Sequence, residues 1–282
     1  MAGRMTGMAL KLMYITNEVE IAKIAEKAGV DWIFVDLEIN GKEKRQGHLD
    51  TVISKHMISD VKKIKSVLEK SELLVRVNPI FEGSKDEIDS VIEYGADIVM
   101  LPFFKTKEEV DKFVGYVNNR AKVMLLLETP QAVDNVDSIL SVSGIDYIHI
   151  GLNDLHLGYK MKFMFELLSE GTVEMLCKKI KEKSIPYGFG GVARLGTGLL
   201  PAENILAEHY RLGSSMVILS RSFCNIKELS DLDIISQTFK EGIADIRKYE
   251  AELSLKSEEF FRQNKINLKM LVDKIKNSCV TD

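Results

Sequence analysis

The feature that most constrains this chain is a regular alternation of short apolar runs and amphipathic segments from residue 10 to residue 253. Runs such as residues 32–35 are apolar without a break, which is typical of parallel strands covered on both faces. Segments such as residues 19–25 repeat their apolar positions at helical spacing, and Gly29 follows as a helix terminator. The alternation therefore predicts successive strand–helix units.

Eight such units are predicted. The strands cover residues 10–15, 31–37, 73–77, 97–103, 122–127, 147–152, 186–192 and 216–219. Helices are predicted up to residue 28 and over 58–68, 86–92, 108–117, 133–140, 163–183, 202–210 and 232–253. Parallel strands with right-handed crossovers close at this number, so residues 1–253 are predicted to form a (β/α)8 TIM barrel. An open, doubly wound sheet is the alternative.

A C-terminal extension, residues 254–282, follows the predicted barrel and contains an amphipathic helix over 257–277. One barrel does not need this helix. It can pack on its own barrel, or it can form an arm that docks on a neighbouring subunit of a homo-oligomer. The sequence leaves both arrangements open.

Composition excludes several classes of protein. The net charge of −4 argues against a nucleic-acid surface. The three cysteines lie far apart without a CxxC pair, which disfavours a disulfide framework. Neither a long apolar signal segment at the N-terminus nor an apolar run of membrane-spanning length is present in the sequence. We therefore expect a cytoplasmic protein that acts on small molecules.

Two carboxylates follow predicted strands at the face where barrel enzymes carry their active sites. Glu128 comes directly after strand 122–127, and Asp154 follows strand 147–152. Oxygen ligands of this kind favour Mg²⁺ or Mn²⁺ with several waters retained. A salt bridge across the barrel mouth is the alternative. A zinc site with His149 and His156 is less favoured, because His149 alternates with apolar strand residues and is expected to be a hydrogen-bonded barrel residue.

Arg76 lies inside an otherwise apolar strand, which is costly unless the guanidinium is paired or binds an anion. An ion pair with Asp36 or Glu38 is compatible with a ligand-binding role. Further substrate contacts are expected at the strand ends that carry Gly151, Asn153, Gly190 and Gly191. The glycines at 188–191 are not followed at once by a helix, so we interpret them as a place of close backbone approach to a ligand and not as a dinucleotide fingerprint.

Several motifs together resemble the HpcH/HpaI aldolase and citrate lyase family. They are Asp36-Leu37-Glu38, Val75-Arg76-Val77-Asn78-Pro79, residues 95–102, Leu127-Glu128-Thr129 and residues 150–155. The resemblance covers roughly residues 20–225. It implies a pyruvate-binding barrel that makes or breaks a carbon–carbon bond next to a 2-oxo acid or an acyl-CoA. It also implies a homo-oligomer, a trimer or a hexamer, often with exchanged C-terminal helices.

The resemblance also assigns roles to residues. Glu128 and Asp154 would hold the divalent ion, Mg²⁺ or Mn²⁺, and Arg76 would bind the enolate or carboxylate of a pyruvate-like 2-oxo acid. Asp36 and Glu38 would orient Arg76 or metal-bound water. The second substrate would be an aldehyde or a CoA thioester.

One position departs from the family pattern. Directly after the strand-two glutamate the aldolases usually have a histidine and the CoA lyases an aspartate, whereas this chain has Ile39. The proton must then be moved by another group or by metal-bound water. His48 in the following polar loop is the preferred substitute and His56 the second choice. The leading interpretation is a class II aldolase-like metal-dependent lyase; the alternatives are an acyl-CoA lyase and a barrel that binds an acid–metal complex without turnover.

Overall fold

The strands of the predicted barrel are present and close on themselves. The computed structural model describes residues 9–40, 56–226, 229 and 231–278. The strands are β1 (Lys11–Ile15), β2 (Trp32–Asp36), β3 (Glu72–Arg76), β4 (Ile98–Leu101), β5 (Lys122–Leu127), β6 (Tyr147–Ile150), β7 (Tyr187–Val192) and β8 (Met216–Leu219). Each pairs in parallel with the next, and β1 pairs with β8, so the (β/α)8 prediction is confirmed and the open sheet is excluded.

Helices follow the strands around the outside of the barrel. They are α1 (Val19–Ala28), α2 (Ile58–Lys65), α3 (Ser84–Glu93), α4 (Lys107–Val117), α5 (Pro130–Asp134), α6 (Val136–Ile139), α7 (Leu152–Gly158), α8 (Glu166–Ser169), α9 (Thr172–Glu182), α10 (Ala202–Leu212), α11 (Leu232–Ser254) and α12 (Glu258–Ser278). Over the described ranges, none of these helices combines the length and apolarity needed to cross a membrane.

The alternation of side chains along each strand explains where the polar residues lie. One apolar cluster fills the inside of the barrel and includes Trp32 and Phe34 of β2, Leu74 of β3, and Met124 and Leu126 of β5. Because successive inward-facing residues are two apart, the next inward positions are Asp36, Arg76 and Glu128. A larger cluster lies between the strands and the helices. These polar residues therefore lie directly above the inner apolar cluster, at the C-terminal ends of the strands.

Beyond shifts of up to three residues at the ends of other elements, three predictions differ from the structure. The predicted helix 163–183 is α8 and α9, separated at Gly171, whose φ of 94° is left-handed and does not continue a helix. The predicted helix 133–140 is α5 and α6, which meet at Asn135. The predicted strand 147–152 ends at Ile150, and α7 begins at Leu152. Asp154 consequently lies in the first turn of a helix and not at the end of a strand.

The C-terminal helix α12 packs on its own barrel, against α8 and α10. Leu268 and Val272 are buried in this contact. Buried Asn264 donates hydrogen bonds to the Asn204 carbonyl and to Glu208 of α10. The division of the chain at residue 253 stays a prediction, although α11 ends at Ser254, close to that position.

Candidate active site

A cavity of about 720 Å³ opens at the C-terminal ends of the strands. Of the residues predicted to form the site, those that line this cavity are Asp36, Arg76, Glu128, Gly151, Asn153, Asp154, Gly190 and Gly191. Glu38 is buried and contacts Arg76 of the cavity wall. His48 lies outside the described residues. The structure thus places most of the predicted set around one space, while the role of each residue stays a prediction.

Arg76 is paired with two acids, Asp36 at the end of β2 and Glu38 just after it. Its Nε and Nη2 each donate to an oxygen of Asp36 at 2.8 Å, and Nη1 lies 3.5 Å from Glu38 Oε2. Burial alone would lower the pKa of Arg76, but the charges of Asp36 and Glu38 outweigh it and raise that pKa above its ordinary value. The guanidinium is therefore permanently charged and fixed in orientation, as a group that receives an anion must be.

Glu128 and Asp154 form the acid pair of the site. Glu128 follows β5, and Asp154 lies in α7, which follows β6. Both side chains are buried, with 3% and 8% of their surfaces exposed. Glu128 Oε1 accepts a hydrogen bond from the Phe103 N–H at 3.1 Å, and Phe103 has a left-handed φ of 50°. A bulky residue in that conformation stores strain, which is common at functional sites.

The environment of Glu128 is electrostatically unfavourable for a carboxylate. Burial is the largest cause that raises its pKa, followed by the charges of Glu38 and Asp154, with Arg76 opposing them. The charges of Asp36, Glu38 and Glu128 act on the Arg76 guanidinium, and that of Asp154 acts on Glu128. A positive ion placed beside Glu128 and Asp154 would relieve this repulsion.

These residues fit a hard divalent cation. Glu128 and Asp154 offer only oxygen, the ligand that Mg²⁺ and Mn²⁺ prefer. In the described part of the chain, no cluster of three or more His, Cys, Asp or Glu side chains has the arrangement of a metal site. A two-carboxylate site suits Mg²⁺, which usually keeps several waters, better than a structural zinc site, which is closed by four protein ligands.

Gly151 allows the acid pair to approach. A Cβ at this position would lie 2.8 Å from both Glu128 Cβ and Glu128 Oε2. Any side chain at residue 151 would therefore displace the Glu128 carboxylate. The glycine, which lies between β6 and α7, positions Glu128 without contacting it through a side chain of its own.

Within the described ranges, His56 and His149 line the cavity and have different partners. His56 Nδ1 accepts a hydrogen bond from the Asp36 backbone N–H at 2.9 Å. His149 Nε2 donates to the Gly190 carbonyl at 3.0 Å, and burial lowers the pKa of His149 to about 4. His149 is thus a hydrogen-bonded barrel residue, as the sequence predicted. His156 Nδ1 lies 3.2 Å from the Leu152 carbonyl in its own helix.

Part of the cavity wall was not predicted. Thr16, Asn17 and Glu18, which follow β1, line the cavity, as do Ser220 and Asn225 after β8. Thr16 and Asn17 directly follow a predicted strand, so the rule that identified Glu128 would have identified them too. Asn225 is five residues beyond a predicted strand, and nothing in its local sequence marks it as part of the wall.

The fold and the site together define a class of protein. It is a (β/α)8 barrel that carries two buried acids, Glu128 and Asp154, and the ion-paired Arg76 at the C-terminal ends of its strands. The family model of HpcH/HpaI aldolase/citrate lyase matches residues 11–167. That match covers more than half of the chain, so this chain belongs to the HpcH/HpaI aldolase/citrate lyase family.

Curated relatives are similar to about half or more of the chain. A 2-keto-3-deoxy-L-rhamnonate aldolase of Shigella dysenteriae is 26% identical over 207 residues, which are 61% of this chain and 71% of that protein. The enzyme with this name from Escherichia coli K12 is 27% identical over 173 residues, 49% of this chain and 58% of that protein. The chain therefore spans little more than half of the length of this second relative.

Solved structures share the fold. An HpcH/HpaI aldolase from Desulfitobacterium hafniense superimposes with a TM-score of 0.60 at 17% identity, covering 75% of this chain and 86% of that one. The citrate synthase SbnG gives a TM-score of 0.60 at 16% identity, covering 82% and 94%. At these identities the likeness supports the barrel alone.

Proposed function

We propose that this chain is a divalent-metal-dependent carbon–carbon lyase that acts through a pyruvate-like enolate of a 2-oxo acid. The observation that carries the proposal is the buried pair Glu128 and Asp154 in one cavity with the clamped Arg76. Membership of an aldolase and lyase family supports a carbon–carbon lyase. The relatives named as aldolases of a 2-keto acid support a 2-oxo acid as the substrate class.

Glu128 and Asp154 are the residues that would hold Mg²⁺ or Mn²⁺. When bound, the ion would supply a Lewis acid for the 2-oxo group of the substrate. The protein contributes a carboxylate pair that is already buried and oriented, because Glu128 accepts the Phe103 N–H and packs against Gly151. Preorganised ligands of this kind need little rearrangement when charge develops.

Arg76 would bind the negative charge that develops during cleavage. Nε and Nη2 each give one N–H to Asp36, and Nη1 also faces Glu38, so a carboxylate or an enolate oxygen would bind the remaining N–H groups of Nη1 and Nη2. Since Asp36 and Glu38 hold the guanidinium in place, its stabilisation of the enolate costs no reorientation during the reaction. Asp36 and Glu38 act on the substrate through Arg76.

The proton-transfer group is the open part of this mechanism. Ile39 cannot carry a proton, and the preferred substitute, His48, lies outside the described residues and stays a prediction. His56 lines the cavity, but its Nδ1 accepts the Asp36 N–H, so in the neutral ring Nε2 holds the proton. In that state His56 is a hydrogen-bond donor and not a base. The base would then be His48 or water in the cavity.

The test is cleavage of 4-hydroxy-2-oxo acids, followed by reduction of released pyruvate with lactate dehydrogenase. We expect pyruvate release that requires Mg²⁺ or Mn²⁺ and stops when a chelator is added. Cleavage that is unchanged by chelator would contradict metal dependence. Cleavage of acyl-CoA thioesters in place of free 2-oxo acids would select the acyl-CoA lyase alternative, and tight metal and oxalate binding without turnover would select the non-catalytic barrel.

A further inference from the structure

Strand β7 is irregular where it forms the wall of the cavity. Gly188 pairs with Met216 and Gly191 with Ile218, so β7 uses three steps where β8 uses two. The extra residue makes a bulge, a feature that often re-aims the backbone next to active sites. Gly190 lies in this bulge with a left-handed φ of 54°, and Gly190 and Gly191 both line the cavity.

The glycines of the bulge are not equivalent. A Cβ on Gly188 would lie 2.1 Å from the Met216 carbonyl oxygen, and one on Gly190 would lie 2.7 Å from Leu152. Packing therefore requires glycine at position 188, and the left-handed φ favours glycine at position 190. On Gly191 the nearest atom to a Cβ would be the Ile218 carbonyl oxygen at 3.3 Å, a tight but not prohibitive contact, and Gly191 has no left-handed φ. Its lack of a side chain leaves cavity space for a ligand.

The side chain of His149 ties the bulge to the neighbouring strand β6. His149 of β6 donates from Nε2 to the carbonyl of Gly190. Its ring is fully buried, and its Nδ1 has no hydrogen-bond partner among the described residues. Its neighbours on the inner face, Leu126 and Tyr147, belong to or pack against the apolar cluster inside the barrel.

This arrangement is unfavourable for packing alone. A buried nitrogen without a partner destabilises the fold, and an apolar side chain of similar size would avoid that cost. The pKa of about 4 keeps the ring neutral at neutral pH, so no charge is gained from the imidazole either. What the imidazole adds over an apolar ring is its hydrogen bond to the bulge.

We propose that His149 is a positioning residue that fixes the β7 bulge, so that the backbone of Gly190 and Gly191 forms the wall along which the substrate binds. The hydrogen bond links β6, which leads directly to Gly151 and to Asp154 of α7, with the wall of β7. The role of His149 in the bulge follows from the structure of the chain, whereas substrate binding along this wall rests on the proposed function.

The test compares two substitutions at His149. In His149→Gln the side-chain amide can occupy the place of Nε2 and still donate to Gly190, whereas His149→Phe retains a ring without a donor. His209→Phe is the matched control, because His209 is also fully buried and stacks on Phe189 of the same strand at 3.8 Å between ring centroids, on the outer side of β7. Each variant is examined as the full chain.

Two measurements are made on each variant: amide hydrogen exchange of a peptide covering residues 187–192, and oxalate affinity with Mn²⁺ present. For His149→Phe we expect exchange in this peptide to be faster by about tenfold, the effect of one ordinary hydrogen bond on local opening, and oxalate to bind about tenfold more weakly. His149→Gln should stay close to the wild-type protein in both measurements. His209→Phe should lower the melting temperature and leave oxalate affinity unchanged.

The role of His149 would be overturned if the peptide exchanged in His149→Phe at the wild-type rate. It would also be overturned if exchange were as fast in His149→Gln and His209→Phe as in His149→Phe. If the bulge loosens while oxalate affinity does not change, the proposal that the substrate binds along this wall is wrong. If the wild-type protein binds no oxalate with any divalent ion, the proposed function fails, and the exchange comparison still decides whether His149 holds the bulge.

Discussion

At the scale of single residues, four buried acids, Asp36, Glu38, Glu128 and Asp154, lie at the mouth of the barrel together with Arg76. Asp36 and Glu38 pair with Arg76. In the buried pair Glu128 and Asp154, burial and the charges of Glu38 and Asp154 raise the pKa of Glu128. Such a pair is a liability for folding and an advantage for binding a cation. Substitutions at Glu128 and Arg76 separate these two effects.

Glu128→Gln should reduce metal-dependent cleavage by at least about a hundredfold, because a neutral amide is a poor ligand for Mg²⁺. The fold should remain, and Mn²⁺ affinity measured by calorimetry should fall with the activity. Glu87→Gln is the control, because burial also raises the pKa of Glu87, and Glu87 binds Asn78 away from the cavity lining. Full metal-dependent activity in Glu128→Gln would remove Glu128 from the metal site.

The raised pKa of Glu128 also predicts how the stability of the metal-free protein depends on pH. Its pKa in the folded state is raised above the ordinary value of 4.5, so the folded state binds the proton more tightly than the unfolded state. The free energy of unfolding should therefore fall as pH rises from about 4.5 through the raised pKa. Glu128→Gln should lack this loss.

Urea unfolding of both proteins in chelator, over a series of pH values, measures this difference. We expect the stability of Glu128→Gln relative to wild type to increase with pH across that range and then to level off. A difference that does not change with pH would mean that Glu128 is not ionising at a raised pKa. Saturating Mn²⁺ should restore the stability of the wild-type protein more than that of the variant.

Arg76→Lys tests the clamped guanidinium. Lysine retains the charge but cannot donate to Asp36 in two directions and bind an anion at the same time, so we expect oxalate affinity to fall by about tenfold. Mn²⁺ affinity should change little. Arg211→Lys is the control, because Arg211 pairs with Glu174 and Glu208 and does not line the cavity. Equal loss of oxalate affinity in both variants would show a general effect on folding.

At the scale of elements, the junction of β6 and α7 positions the acid pair. Gly151→Ala should weaken Mn²⁺ binding by about tenfold or more, since its Cβ would collide with the Glu128 carboxylate. Gly115→Ala is the control, because Gly115 lies in α4 with open space around it, and alanine there should stabilise the helix by about 0.5–1 kcal/mol. Unchanged metal affinity in Gly151→Ala would show that Glu128 can move without loss.

The same junction shows where prediction from sequence stops. Strands β5 and β8 begin and end at the predicted residues, because uninterrupted apolar runs bounded by polar residues mark buried parallel strands. The start of α7 at Leu152 was missed, since Ile150 and Leu152 continue the apolar pattern and Gly151 alone separates them. The break at Gly171 was missed because the amphipathic pattern continues across it.

The site was predictable to the extent that strand ends determine it. Asp36, Arg76 and Glu128 lie at inward positions set by a period of two, which the sequence shows directly. The partners of His56 and His149 depend on how neighbouring strands and a long loop meet, which no local pattern encodes. The polar residues after β1 follow the strand-end rule and could have been included.

At the scale of the whole molecule, α12 packs on its own barrel. Leu268→Ala should lower the free energy of unfolding by about 2–5 kcal/mol, because it removes a fully enclosed side chain from the contact with α8 and α10. The loss should be independent of protein concentration. A melting temperature of Leu268→Ala that rises with protein concentration more steeply than in wild type would indicate helices exchanged between subunits. A trimer or hexamer stays a prediction, which light scattering of the wild-type protein would test.

The central claim is that the cavity stabilises a pyruvate-like enolate with the help of a divalent ion. Exchange of deuterium from solvent into the methyl group of pyruvate, followed by NMR, tests it without knowledge of the second substrate. We expect exchange with Mg²⁺ or Mn²⁺, none with chelator, and none in Glu128→Gln. Absence of exchange with every divalent ion, although the folded protein binds pyruvate, would contradict the account.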